Sequence, residues 1–287
     1  MQHSPSERVR FLQMVVGGVL LVGVVVGSAG CSTPVPSDGT YSPFGTIDTI
    51  GATEAPRDSV LAVLARMNRA AFDSAFVRLG DYALTRHVRT EQLDTTGATT
   101  AYRSLTLQYP SGSGPGTVQR ADSTGTFRKG GMFSGITPTQ QRTTTPANLA
   151  LQALADQPAY LAPRTQEAYR YALRRDSLLD RTPAFVVEAK ARSDERGADQ
   201  DIRYARLTID RASHELVGLT TARAGRILLF RENSRLTIRL RPAPDPGGDW
   251  VPHLTRFRAV VDVPFRTARQ FHTVSAYYGY DQRGEDL

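Results

Sequence analysis

Covalent chemistry in this chain converges on one atom, the sulfur of Cys31, the only cysteine among 287 residues. It follows Ser28-Ala29-Gly30, the small residues that a lipobox places before a cysteine whose thiol is alkylated by diacylglycerol ahead of cleavage. Ala29 and Gly30 fit that pattern, and Ser28 stands where leucine is commoner. An ordinary secretory signal with an incidental cysteine would look similar, but Cys31 stands where the alkylation needs it. With the thiol consumed no disulfide can form, so the rest of the chain must be held by its core although it leaves the cytoplasm.

No other group forms a comparable constellation. His87, His214, His253 and His272 are scattered, with no HExxH and no further cysteine to complete a zinc site. GxSxG and a glycine-rich phosphate loop followed by lysine are both absent. Hydrolase and nucleotide-binding readings therefore lack a motif, although a triad assembled from distant residues would leave none. No enzyme activity and no cofactor is expected. Asp194-Glu195, Asp199 and Asp201 could offer carboxylate oxygens to calcium, but they lack the EF-hand spacing and lie among Arg192, Arg196 and Arg203. A solvated hairpin tip accounts for them, and no metal is expected. Met132 and Phe133 sit in the glycine-flanked loop 129–135. Exposed, that pair would meet lipid or a partner; folded back, it would pack on the domain.

The segment before Cys31 explains how the thiol would reach its modifying enzymes. Arg8 and Arg10 give a short positive region, Phe11 to Cys31 carries no charge, and Met14 to Val26 is almost wholly Val, Leu and Gly. A membrane-spanning helix needs ~20 apolar residues, and this stretch is too short and too glycine-rich. Residues 1–30 therefore read as a lipoprotein signal peptide. The residue after Cys31 is Ser32 and not the aspartate that commonly retains lipoproteins in the inner membrane, so the expected location is the outer membrane, lipid-anchored, on the periplasmic face. Removing 1–30 takes away Arg8, Arg10 and Glu7 and lowers the formal charge from +7 to +6. Only Lys129 and Lys190 are lysines; the other basic residues are arginines, many at outward strand positions. Such a balance can serve nucleic acid or an anionic surface. GC-rich coding explains it as well, and no nucleic-acid partner is expected.

Behind the cysteine, residues 31–57 are rich in Pro, Gly, Ser and Thr and read as a flexible tether. A single domain, 58–287, follows. Val60, Val63, Leu64, Met67, Ala71 and Ala75 recur at helical spacing between Asp58-Ser59 and Gly80, which predicts one amphipathic helix of about five turns. Period-two alternation then predicts strands through Tyr82, Leu84 and Val88, through Leu105, Leu107 and Tyr109, and within 117–127. Pro146, Leu149, Ala150, Ala153 and Leu154 suggest a short helix. A meander follows, with strands at 168–174, 184–191, 202–210, 215–221, 227–232, 236–241, 251–263 and 271–280, and with hairpin links at 210–213 and Ala224-Gly225. The clearest alternation is Leu236, Ile238 and Leu240 inward against Arg235, Thr237, Arg239 and Arg241 outward. About ten to eleven antiparallel strands cannot stay flat, so the fold class is mainly β (α+β), a curled half-barrel closed by helices.

That order of elements resembles the periplasmic lipoprotein carriers and outer-membrane receptors of the LolA/LolB-like superfamily, over roughly Asp58 to Tyr280. The stretches that carry the resemblance are Tyr204-Ala205-Arg206-Leu207-Thr208-Ile209-Asp210 with His214-Glu215-Leu216-Val217, then Trp250-Val251-Pro252, and Tyr277-Tyr278-Gly279-Tyr280. Any long meander can show similar turns and aromatics. The length between Thr124 and Arg164 departs from the family. The resemblance implies an incomplete barrel around an apolar cavity under a helical lid, taking a lipid or a lipidated protein. Its walls would be Leu84, Leu105, Leu107, Tyr109, Leu207, Ile209, Leu236, Ile238, Leu240, Phe257, Val261 and Phe271; its lid Val63, Leu64, Met67, Leu149 and Leu154; its membrane-contact loop Met132 and Phe133. A cavity of this kind gains roughly 0.8 kcal/mol per methylene buried. The same residues would equally form a packed core. In that case the chain is a structural or interaction lipoprotein whose arginine-rich surface meets envelope polymers or proteins. A monomer is expected either way.

Overall fold

The computed structural model describes residues 57–112, 116–127, 158–179, 182–192, 202–227, 230–243, 249–262 and 269–282. Ten strands form one antiparallel, unclosed and curled sheet: β1 (Tyr82–Leu93), β2 (Thr99–Tyr109), β3 (Thr117–Thr124), β4 (Tyr169–Leu179), β5 (Thr182–Ala191), β6 (Ile202–Asp210), β7 (Leu216–Ile227), β8 (Phe230–Pro242), β9 (Trp250–Asp262) and β10 (Arg269–Gln282). Their spatial order is β3-β2-β1-β10-β9-β8-β7-β6-β5-β4. The chain builds one edge first, crosses to the opposite edge between β3 and β4, and meanders back until β10 pairs with β1. Register shifts in several pairs, among them β1 with β10, β2 with β3 and β8 with β9, bend the strands and give the sheet its curl.

The register carries the sequence alternation across the sheet. Val187 faces Leu207, Leu207 faces Leu219, Leu219 faces Ile238, and Leu236 faces Phe257. Beyond β9 the same face continues through Phe271, Gln92 and Ala101. This is the inner face.

The predicted five-turn helix is two shorter ones, α1 (Arg57–Arg66) and α2 (Ala70–Ala75), followed by a 3-10 turn at Arg78–Asp81. Asn68 breaks it. Its backbone bridges to Glu215, with its N–H donating to His214 O and its carbonyl accepting from Leu216 N–H, both at 2.8 Å. Its side-chain oxygen accepts from Ala70 N–H at 2.9 Å, an Asx turn immediately before α2. A backbone that is satisfied by a strand end cannot also continue a helical ladder, and the apolar periodicity runs through this break without registering it. The second correction lies at 227–232. These residues are not a strand of their own: Gly225 pairs with Glu232 and Ile227 with Phe230, so Ala224-Gly225 lies inside β7 and Phe230 to Glu232 inside β8.

The link at 210–213 forms as the sequence suggests. Asp210 Oδ2 accepts from Ala212 N–H at 3.0 Å, Ser213 N–H at 2.7 Å and the Ser213 hydroxyl at 2.9 Å, and His214 takes φ 60° to close the turn. Near the C-terminus Gly279 takes φ 63° where β10 shifts register against β1. Residues three apart on a regular strand face opposite ways; this bulge lets Tyr277 and Tyr280 join one cluster with Tyr82, Leu84, Ala243 and Val251. A Cβ at Gly279 would meet nothing closer than Thr85 Oγ1 at 3.8 Å, so only the backbone resists it. Gly279→Ala is expected to lower unfolding stability by about 1–2 kcal/mol, read from urea midpoints.

Candidate ligand-binding face

The inner face divides into two parts. Over β4 to β8 it is aliphatic and closed. Helix α1 lies against β4 and α2 against β7 and β9. Val60, Phe72, Ala75 and Phe76 pack with Leu207, Ile209, Leu219, Leu236, Ile238 and Leu240 in one cluster, with Val63, Leu64 and Met67 at its margin. The stretch that leads into β4 completes the cover: Tyr160 is fully buried, Tyr171 donates its hydroxyl to Tyr160 O at 2.8 Å, and the Tyr160 and Tyr169 rings meet edge-on. Burial raises the Tyr160 hydroxyl pKa, so it stays neutral.

Over β9, β10, β1 and β2 the same face is mixed. Leu105, Leu107, Tyr109 and Phe257 are half-buried, and Leu84 and Phe271 are buried. Val88 faces Leu105 and Arg86 faces Leu107, while on the other side Val88 faces Ser275, Thr90 faces Thr273 and Arg86 faces Tyr277. Buried polar groups collect here: Gln92, Thr255, Ser275 and the hydroxyl of Tyr277. The Thr90 and Thr273 hydroxyls bond to each other at 3.1 Å. All twelve wall positions named from the sequence lie on strands of the sheet, and the backbone of Val261 pairs with Arg269. Five of them, Leu207, Ile209, Leu236, Ile238 and Leu240, belong to the packed part. Leu149, Leu154, Met132, Phe133, the acidic residues 194–201 and residues 1–56 with Cys31 lie outside the described residues.

Arg86 is the residue that the sequence reading passed over, and the signal was present. Tyr82, Leu84 and Val88 share a face only if position 86 shares it too.

The outer face is where the arginines find carboxylates. Arg89 pairs with Glu91 at 2.7 Å and lies over the Tyr102 ring at 4.3 Å, and His272 Nδ1 stands 3.5 Å from Glu91. Arg206 meets Glu188 at 3.5 Å, and Arg235 lies over Tyr204. Burial, with Glu188 beside it, pushes the Tyr204 hydroxyl up to about 12. Trp250 donates its indole N–H to Glu215 at 2.8 Å, which ties the start of β9 to the β6–β7 turn. His87 lies between two hydroxyls, Ser104 Oγ at 3.2 Å and Thr106 Oγ1 at 3.1 Å, with no carboxylate on either ring nitrogen. Ser104 is itself buried, so this pair lacks the exposed nucleophile and oriented base of a hydrolase. Among the described residues no group of three or more His, Cys, Asp or Glu side chains could hold a metal ion, and no helix is long and apolar enough to cross a membrane.

Two groups in this outer patch prefer neutral pH. Desolvation, then Arg89 and Arg120, lower the His87 pKa, while the hydrogen bond from His272, aided by Arg89, lowers that of Glu91. Both folded values lie below the unfolded ones, so the stability they contribute is present above the unfolded pKa and lost as pH falls through it. Urea midpoints should therefore fall as pH is lowered from 7 to 5, where the histidine titrates, and fall further in the glutamate range. His87→Gln should flatten the first step; an unchanged slope would show that the imidazole is not desolvated in solution.

No family model and no curated protein matches the sequence. Solved structures similar to this chain include a LolA superfamily protein from Nitrosomonas europaea, with 12% identity, 79% of this chain and 94% of that one covered, and a TM-score of 0.25. A DUF1329 family protein from Desulfovibrio piger shares 9% identity over 81% and 95% of the two chains, with a TM-score of 0.28. A protein domain from Vibrio parahaemolyticus described as outer membrane lipoprotein-sorting shares 11% identity over 80% and 93%, with a TM-score of 0.26. At these TM-scores no residue role passes from them to this chain.

Proposed function

We propose that this chain is an outer-membrane-anchored lipoprotein, held on the periplasmic face by lipid on Cys31, whose half-barrel takes acyl chains of a lipid or lipidated protein against its inner face. The observation that carries the reading is the division of that face. Helices α1 and α2 fill the part over β4 to β8, with Phe257 at its margin, while the apolar residues that continue the face, Val88, Leu105, Leu107 and Tyr109, stay half-buried. Apolar side chains that line a concave face without being fully covered by the described residues suit a ligand recognised by area, not by directed hydrogen bonds. The role is binding or transfer without catalysis, with α1 and α2 as the lid.

The test is to express the chain from Ser32 onward, purify it without detergent, and search for co-purified lipid by native mass spectrometry followed by solvent extraction. A stoichiometric acyl-chain ligand is the expected result and would identify the cargo class. A clean apo protein that also fails to take up a fluorescent fatty acid would overturn the reading and favour a packed-core lipoprotein that contacts envelope polymers or proteins.

A further inference from the structure

The guanidinium of Arg86 stands in the middle of an otherwise apolar stretch of the inner wall. Leu84 and Val88 flank it along β1, Leu107 faces it from β2, and Tyr277 faces it from β10. One of its donors reaches Ser275 Oγ at 3.1 Å, and its carbon lies 5.6 Å from the centre of the Tyr277 ring. Its Nε is buried and has no acceptor. Among the described residues no carboxylate pairs with it, whereas Arg89, three positions along and on the opposite face, holds Glu91 at 2.7 Å. Tyr277 beside it is 1% exposed, and its hydroxyl lies among those of Thr255 and Ser275.

The Arg86 Nε thus lacks an acceptor beside two buried hydroxyl residues, Tyr277 and Ser275, which are 1% and 2% exposed. A guanidinium carries five N–H donors and no acceptor, and its fixed fork matches a carboxylate or a phosphate. Half-burying such a group, with its Nε out of water and no counter-charge among the described residues, costs free energy that an anionic ligand would offset. The immediate apolar neighbours, Leu84, Val88 and Leu107, give no reason for a cation at this position; an amphiphile with an anionic end does.

We infer that Arg86, with the Tyr277 and Ser275 hydroxyls, receives a single anionic group, a carboxylate or phosphate, at the head of the acyl-chain ligand, while Leu84, Val88 and Leu107 contact the start of its chain. The inference rests on the ligand reading given above and adds the polarity of the ligand and its orientation on the wall.

The test uses the full chain, kept soluble in a non-ionic amphipol and titrated in parallel with radiolabelled oleate, the neutral oleyl alcohol and inorganic phosphate. Oleate is expected to bind at least tenfold more tightly than oleyl alcohol, since hydrogen bonds to a charged group are worth about one to two powers of ten. Phosphate alone is expected to bind far more weakly than oleate. Arg86→Gln should remove the preference by weakening oleate at least tenfold more than oleyl alcohol, Arg86→Lys should keep part of it, and the outer-face Arg89→Gln should keep all of it. If Arg86→Gln fails to fold, Tyr277→Phe reads the same site by a smaller loss of preference. Equal binding of oleate and oleyl alcohol to the wild type overturns the headgroup site and leaves the acyl-binding reading intact. Phosphate bound as tightly as oleate overturns a lipid headgroup in favour of a free-anion site. Failure of both oleate and oleyl alcohol to bind overturns the acyl-binding reading itself, and the headgroup site with it.

Discussion

Cells producing Cys31→Ser should incorporate no radiolabelled palmitate into this protein, and the variant should leave the membrane fraction. The expectation follows from the chemistry of the position. Cys31 offers the only thiol in the chain, and hydroxyl does not replace thiolate as the nucleophile for diacylglyceryl transfer. The effect on partitioning is large because each buried methylene contributes ~0.8 kcal/mol and two or more acyl chains hold a protein stably where a single one gives only marginal, reversible binding. Folding should be untouched. The described domain begins at Arg57, so the melting temperature of the variant domain should match the wild type. Label retained in Cys31→Ser would place the lipid elsewhere, and membrane retention without label would mean that the apolar stretch 14–26 remains attached as the anchor.

The alternation of β8 shows how much of the fold was legible in the chain. Leu236, Ile238 and Leu240 against Arg235, Thr237 and Arg239 fix which face is buried, and the register then forces the same assignment on β7 and β9. The turn at Asp210 was legible too, because an aspartate that accepts from the next backbone N–H groups is a local interaction. Long-range competition was not. Asn68 leaves the helix because Glu215, 147 positions away and immediately before β7, offers its backbone a bridge. The long arms of β7 and β8 pair through Gly225, where the sequence alone suggests a turn. The division of the inner face was likewise hidden, since Leu105 and Leu207 are the same residue type in the same alternating context. Only the placement of α1 and α2 over β4 to β8 makes one of them core and the other half-buried. Arg86 was legible in position and illegible in meaning: parity puts it inside, but that its Nε lacks an acceptor is a fact of packing.

That division predicts opposite responses to the same truncation. Ile238 is fully buried beneath the helices, in a cluster with Phe72, Leu219 and Leu240. Ile238→Ala is expected to cost about 2–5 kcal/mol of unfolding stability, the transfer free energy of the lost methylenes plus the cavity left in a layer that helices and sheet cannot both collapse to fill. For a chain with the usual 5–15 kcal/mol of stability that is a large share of the total, visible as a shift in urea midpoint at constant slope. Leu105 lies on the same face but is half-buried, on β2, away from α1 and α2. Leu105→Ala is expected to move the midpoint by no more than about 1 kcal/mol, because much of its surface is not yet removed from water. Its effect should appear on adding ligand: a wall that contacts an acyl chain loses affinity when a leucine is truncated, so wild-type stability should rise with added oleate more than that of Leu105→Ala. Equal losses at both positions, with no difference on adding oleate, would mean that β1 and β2 close over a packed interior as fully as β4 to β8 do, and the inner face would then be one core with nothing left for a ligand to cover.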